Sequence, residues 1–279
     1  MDEWIKHDGN PIFEARERGW DNHIEDFVVT KRGGKYYAFY CGGAGYENLH
    51  GIGLAESKSP LGPFTRASDE PMIETHNYVR LGSIIRVGGV WRLYYSIGKG
   101  NVYFSESKDM LTWDRPFGPV VTSMIQPCCQ RVGDGYVMLA TDMNEKGIVS
   151  LTSPDGIQFS GRRKILRPKE GTSCAFGLSN PSFVEARGGG FGVFFEGRAQ
   201  EFIEKMKGHC GWNVFEAMWD GESEIDVPKV PAIPLGEGWE SLQTANANIS
   251  RFGDKEYLYY GGYGESHRFK VGVAWRKAC

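Results

Sequence analysis

Asp26 opens the run Asp26-Phe-Val-Val, and Glu196 closes the run Phe191-Gly-Val-Phe-Phe-Glu196, so each carboxyl group stands where an apolar stretch meets a polar one. Two carboxyl groups facing each other form an acid and base pair. One protonates a leaving oxygen while the other activates water or attacks directly, which is the chemistry that splits a sugar acetal. Asp26, at a strand start beside polar backbone ends and solvent, suits the unprotonated partner. Glu196, at the rim of a wall made by Phe191, Val193, Phe194 and Phe195, suits the proton donor, because apolar surroundings raise a carboxyl pKa. Arg198 opposes that rise if it pairs with Glu196. Asp142, just after the run Tyr136-Val-Met-Leu-Ala-Thr141, occupies the equivalent rim position and is the third catalytic candidate, placed to tune another group or hold a substrate hydroxyl.

Polar and aromatic residues around these carboxyls supply candidate substrate contacts. Arg80 can clamp a carboxylate or hydroxyls, and Arg80, Arg198, His267 and Arg268 are candidates to hold phosphate if phosphate replaces water. His23 lies three residues before Asp26, and Gln126, Asn180 and Asn246 share Asp26's place in their own segments. Tyr46, Tyr263 and Trp212 are candidate stacking platforms for a sugar ring. Glu25 is expected on the opposite face of the strand from Asp26, because side chains alternate along a strand. It then either pairs with a neighbouring element or meets substrate.

The elements that must position these groups repeat. Asp26-Phe-Val-Val-Thr-Lys-Arg-Gly-Gly aligns with Leu81-Gly-Ser-Ile-Ile-Arg-Val-Gly-Gly, and with segments beginning at Gln126, Asn180 and Asn246. Each copy continues into a second apolar or aromatic strand (YYAFYCGG, WRLYYS, YVMLAT, FGVFFEG, EYLYYGG) and a third (GIGLAES, NVYFSES, GIVSLTS, NVFEAMW, KVGVAWR). A less regular fourth segment follows in four copies: FTRASDEPMI, WDRPFGPVV, FSGRRKIL and IDVPKVPAI. Four short strands repeated at this spacing form a β-propeller blade. The predicted fold is therefore all-β, a five-bladed β-propeller occupying residues 1–279 as one domain. The fifth copy lacks a fourth strand, and the segment Trp4-Ile-Lys-His-Asp-Gly-Asn-Pro-Ile-Phe13 has that pattern. Residues 1–13 are expected to close the ring on the last blade and so to cover an exposed edge. One helical stretch, Gln200–Lys207, falls between the second and third strands of blade four. The insert 199–212 that contains it is expected beside the channel mouth.

Composition narrows the function classes. The 38 glycines suit many tight hairpins better than long helices. A net charge of −3 without a basic stripe argues against nucleic acid. Neither a signal-peptide core nor a stretch of ~18 apolar residues is present, so the expected location is cytoplasmic, with no membrane partner. The six cysteines lack metal-ligand spacing, and 128 and 129 are adjacent, which predicts buried free thiols. His23, His50, His76, His209 and His267 read as loop residues, and the glycine-rich runs after Cys41 and Tyr260 end strands rather than open helices. No metal or cofactor is expected. Antiparallel strand order gathers the first-strand starts and the second-to-third-strand loops at one end of the ring, where a site belongs.

The residues His23-Ile-Glu-Asp-Phe-Val-Val, Gly34-Lys-Tyr-Tyr-Ala-Phe-Tyr, Gly53-Leu-Ala-Glu-Ser-Lys-Ser-Pro-Leu-Gly-Pro-Phe64 and Asn180-Pro-Ser-Phe resemble the five-bladed β-propeller glycosidases of glycoside hydrolase family 43 and its relatives in families 32, 68, 117 and 130. The resemblance spans nearly the whole chain and implies a carbohydrate substrate. It implies that Asp26 is the base, since that family's base aspartate opens the first blade. The family's second aspartate falls where this chain has Gln126-Pro127, and its acid glutamate falls at Ser179-Asn180-Pro181. The departure makes Glu196 and Asp142 the substitutes and leaves three readings open: an inverting glycoside hydrolase, a phosphate-dependent phosphorylase, or a carbohydrate-binding propeller without turnover.

Overall fold

Runs of β-branched and aromatic residues punctuated by Gly-Gly and Gly-Asp turns fold as antiparallel hairpins. The computed structural model describes residues 3–45, 48–199, 211–266 and 268–278. Tyr46, Glu47, the predicted helical stretch at 200–207, His209 and His267 lie outside the described residues. Strands β1 (Ile5–Lys6) and β2 (Phe13–Glu14) precede blade one, which consists of β3 (His23–Arg32), β4 (Lys35–Gly43) and β5 (Leu49–Ser57). Its outer edge is shared by β6 (Thr65–Arg66) and β7 (Ile73–Glu74). Blade two is β8 (Val79–Val87), β9 (Val90–Ile97), β10 (Asn101–Ser107) and β11 (Phe117–Thr122). Blade three is β12 (Met124–Val132), β13 (Gly135–Asp142), β14 (Ile148–Ser153) and β15 (Ser160–Leu166). Blade four is β16 (Gly177–Glu185), β17 (Phe191–Arg198) and β18 (Trp212–Trp219). Blade five is β19 (Gln243–Phe252), β20 (Lys255–Tyr263) and β21 (Lys270–Lys277).

Five blades surround a common axis, and each interface between neighbours holds its own apolar cluster. Phe27, Tyr40 and Phe64 of the blade-one side meet Tyr259, Val271 and Val273 of blade five. Val28, Phe39 and Ile52 meet Leu81, Leu93 and Tyr95 of blade two. Analogous clusters join blades two and three around Tyr94 and Met138, three and four around Leu139 and Phe195, and four and five around Phe194 and Tyr260. Large side chains on both faces of each sheet follow from this radial stacking, because every sheet is covered twice.

One fourth strand differs from expectation. In blade four the predicted segment around 225–233 forms only an isolated bridge between Val214 and Ile233. Pro228 and Pro231 have no N–H to donate to a ladder, and the Ile225 N–H bonds instead to the Ile165 carbonyl of blade three at 2.7 Å.

The ring closes as the N-terminal pattern predicts. Ile5 and Lys6 pair with Trp275 and Ala274, and Phe13 and Glu14 pair with Val271 and Lys270. Trp4 seals the adjoining interface. Its ring meets Phe194 edge-on at 5.7 Å, its Nε1 donates to Glu216 at 2.9 Å, and the Arg276 guanidinium lies over it. Removing residues 3–14 unpairs this ladder and takes the buried Ile12 and Phe13, each 3% exposed, out of the cluster they fill. At about 1.5–3 kcal/mol per large apolar side chain, the expected loss is several kcal/mol, a large part of a normal total stability. Thermal melting checks this: a truncated chain that melts within a few degrees of the intact one refutes the closure.

Candidate active site

The innermost strands do not run straight to the mouth of the ring. In β3, β8, β12, β16 and β19 the pairing register slips between Glu25 and Phe27, Leu81 and Ser83, Ile125 and Cys128, Ser179 and Ser182, and Ala245 and Asn248. Four of these bulges hold a non-glycine residue at positive φ: Asp26 (45°), Gln126 (54°), Asn180 (52°) and Asn246 (51°). Asp and Asn tolerate this left-handed conformation better than most side chains, which accounts for three of the four. Blade two uses Gly82, where an added Cβ would lie 1.8 Å from the Pro127 carbonyl oxygen of the next blade.

A bulge inserts one residue and inverts the alternation beyond it. Glu25 therefore does not face away from Asp26, as strict alternation predicts; both carboxyl groups reach the axis. Arg80 binds them together. Its Nε and one terminal nitrogen donate to Asp26 Oδ2 and Oδ1 at 2.9 and 2.8 Å, and Glu25 Oε2 lies 3.2 Å away. The same terminal nitrogen donates to Asn246 Oδ1 at 2.8 Å, and Tyr78 Oη accepts from the other at 3.2 Å. Burial opposes the guanidinium's charge, but Asp26, Tyr78 and Glu25 outweigh it and hold Arg80 well above its ordinary pKa.

A cavity of 270 Å³ opens over this network, lined by His23, Glu25, Arg80, Glu196, Trp212, Gln243, Ala245, Asn246, Tyr263 and Phe269. Glu25 and Glu196 both face it, and both rest on Asn246. The Asn246 side-chain amide donates to Glu25 Oε2 at 3.4 Å, and its backbone N–H donates to Glu196 Oε2 at 2.8 Å. Burial pushes the Glu196 carboxyl up to about 7. Arg80 and the Asn246 N–H pull it down, while Glu25 and Asp26 push it further up. His23 Nε2 lies 3.2 Å from Glu25 Oε1, and its ring sits edge-on to Phe269 at 5.8 Å. His23 and Asn246 thus hydrogen-bond the Glu25 carboxyl and Arg80 pairs with it, while the carboxyl still lines the cavity.

Other sequence-predicted residues have different placements. Asp26 does not line the cavity: Arg80 takes two of its acceptor directions, the Leu81 N–H a third at 2.9 Å, and the Asn180 amide the fourth at 3.4 Å. Its carboxyl orients Arg80 from behind the floor. Asn180 also donates to Asn246 Oδ1 at 3.1 Å. Gln126 Oε1 accepts from Thr141, from the Ser179 hydroxyl and from the Asn180 N–H, knitting blades three and four beneath the cavity. Asp142 is fully buried away from the site, capping its own turn through the Asn144 N–H at 2.9 Å and pairing with Arg162 of the outer strand. Arg198 stacks against Phe176 and Trp212, 4.4 and 4.9 Å from their ring centres, and so braces a cavity wall. Leu81, expected beside the channel, packs instead between blades one and two.

Gln243, Ala245 and Phe269 line the cavity without having been singled out in sequence. Counting back from Asn246 by simple alternation puts Thr244 on the axis and Gln243 and Ala245 away from it. The bulge at Asn246 reverses that assignment. Among the described residues no group of three or more His, Cys, Asp or Glu side chains is arranged to hold a metal ion.

No protein-family model matches the sequence, and no curated protein matches it. Solved structures match over nearly the full length. An alpha-L-arabinofuranosidase from Podospora anserina in complex with cellotriose aligns at a TM-score of 0.73 and 13% identity, covering 99% of this chain and 97% of the other. The catalytic domain of a GH62 alpha-L-arabinofuranosidase from Coprinopsis cinerea aligns at 0.72 and 13%, covering 98% and 96%. A beta-1,2-mannobiose phosphorylase from Listeria innocua, in complex with beta-1,2-mannobiose, aligns at 0.70 and 14%, covering 99% and 97%. These likenesses establish the shared propeller fold.

Proposed function

We propose that this chain is a glycoside hydrolase that cleaves a glycosidic bond within the 270 Å³ cavity, with Glu196 as general acid and Glu25 as the opposing carboxylate. The observation behind this reading is a carboxyl group raised to about 7 that shares one cavity with a second, cation-paired carboxyl group. A donor protonated near neutrality and a partner held by Arg80 are the two states the reaction needs. Trp212, Tyr263 and Phe269 offer apolar faces to a sugar ring, and the buried network around Arg80 closes the far end, which suits a terminal residue entering end-on. The carbohydrate complexes among the structural neighbours support a sugar as ligand.

Turnover of a panel of aryl glycosides and oligosaccharides, with and without phosphate, tests the reading. Phosphate-independent release of sugar supports hydrolysis, strict phosphate dependence replaces it with a phosphorylase, and binding without turnover with a carbohydrate-binding propeller. Glu25 and Asp26 are separable by rescue. Glu25→Ala is expected to lower turnover by about 10²–10⁴-fold, the usual size of a general acid–base contribution, and added azide or formate restores part of it. Asp26→Ala, which removes the anchor of Arg80, gains nothing from either anion. Rescue of Asp26→Ala alone would return the base role to Asp26.

A further inference from the structure

Gln243 opens β19 and is 4% exposed, yet its Oε1 has no hydrogen-bond partner among the described residues. A buried acceptor left dry is costly and uncommon, so its setting invites a physical reason. Its surroundings are not slack. Gln243 pairs with Tyr263 across the ladder, and the Leu242 N–H donates to the Tyr263 carbonyl at 3.0 Å. The neighbouring Thr244 turns the other way, its hydroxyl donating to the Ile233 carbonyl at 3.2 Å and accepting from the Val214 N–H at 3.3 Å. Alternation then sends Gln243 and Ala245 into the cavity. The main polar groups beside it are already engaged: Glu25 with Arg80 and His23, Glu196 with the Asn246 N–H, and Arg80 with Asp26 and Asn246.

We propose that Gln243 is a specificity-determining residue whose Oε1 accepts a hydrogen bond from one ring hydroxyl of the sugar in the cavity. The inference rests on the carbohydrate reading of this site and deepens it. A sugar carrying that hydroxyl satisfies the acceptor. A ring with hydrogen, fluorine or methoxy at the same position leaves it buried and dry, and is refused. A site built to bond a substrate hydroxyl discriminates far more strongly than an apolar wall does, because the failure falls on the protein's own polar group.

The test uses Gln243→Met, which keeps length and approximate volume and removes the acceptor. Its substrates are the aryl glycoside turned over best by the unaltered protein and the monodeoxy analogues of that glycoside. The unaltered protein is expected to disfavour one analogue by about 100-fold or more in kcat/KM. Gln243→Met is expected to lose a comparable factor on the parent glycoside while treating that analogue and the parent alike, within about 3-fold. Without ligand its melting temperature should equal or exceed that of the unaltered protein, since the dry acceptor is gone. Equal discrimination by both proteins, or none by the unaltered one, overturns the proposal. If no glycoside is turned over, the hydrolase reading falls, and calorimetry with the corresponding methyl glycosides decides the role of Gln243. Binding lost in Gln243→Met sustains it; equal binding by both proteins, or binding by neither, overturns it.

Discussion

Glu196→Gln is expected to lower turnover of a glycoside with a poor leaving group by about 10²–10⁴-fold, the range for loss of a general acid. A dinitrophenyl glycoside, whose leaving group needs no proton, should be far less affected, and that contrast separates an acid from a residue that merely shapes the cavity. The unaltered protein should lose kcat/KM as pH rises past about 7, where the Glu196 carboxyl gives up its proton. The same shift bears on stability. Its folded value lies near 7 against an ordinary value of 4.5, so the folded chain keeps a proton that the unfolded chain releases. The resulting stabilisation is complete below about 4.5 and is lost as pH rises to about 7, amounting to about 3 kcal/mol. Gln cannot ionise, so Glu196→Gln should melt at a higher temperature than the unaltered protein at pH 8, with the gap closing by pH 5. Parallel melting curves for the two proteins across that range would show that Glu196 does not carry a proton in the folded chain near neutrality.

Arg80→Met should produce the largest loss of stability of any single change at the site. Arg80 is buried, and among the described residues it is the one cation paired with both Asp26 and Glu25, each 4% exposed or less. Removing the cation strands two buried carboxyl groups, and breaking a buried ion pair from one side costs about 3–5 kcal/mol. Chemical denaturation at pH 7 measures this. Adding Asp26→Asn to Arg80→Met should recover much of the loss, because the added change removes one of the stranded charges, and Asp26→Asn alone completes the cycle that gives the coupling between the two positions. A cost below about 1 kcal/mol for Arg80→Met would mean that water reaches the network and screens it, in which case the closed cavity floor does not hold.

The sequence by itself determined the propeller, because a blade is a local object. Alternating apolar runs such as Tyr36–Tyr40 and Glu256–Tyr260, with their glycine turns, specify hairpins from neighbouring residues alone, and five copies leave one way to bury both faces of every sheet. The closing strand was legible for the same reason, as a fourth-strand pattern at one end of the chain and a missing one at the other. The rise of the Glu196 carboxyl was legible too, since a glutamate that closes an apolar strand is carried into a buried position. Only the tertiary structure decided which carboxyl group lines the cavity with Glu196. Glu25 and Asp26 are adjacent, and with the bulge at Asp26 the first lines the cavity while the second lies behind it, both of them paired with Arg80. The side chains at that bulge are held from three other blades, by Arg80, Asn180 and Asn246. The bonds that hold it link residues as far apart as Glu25 and Asn246, and no pattern along the chain encodes a contact of that range.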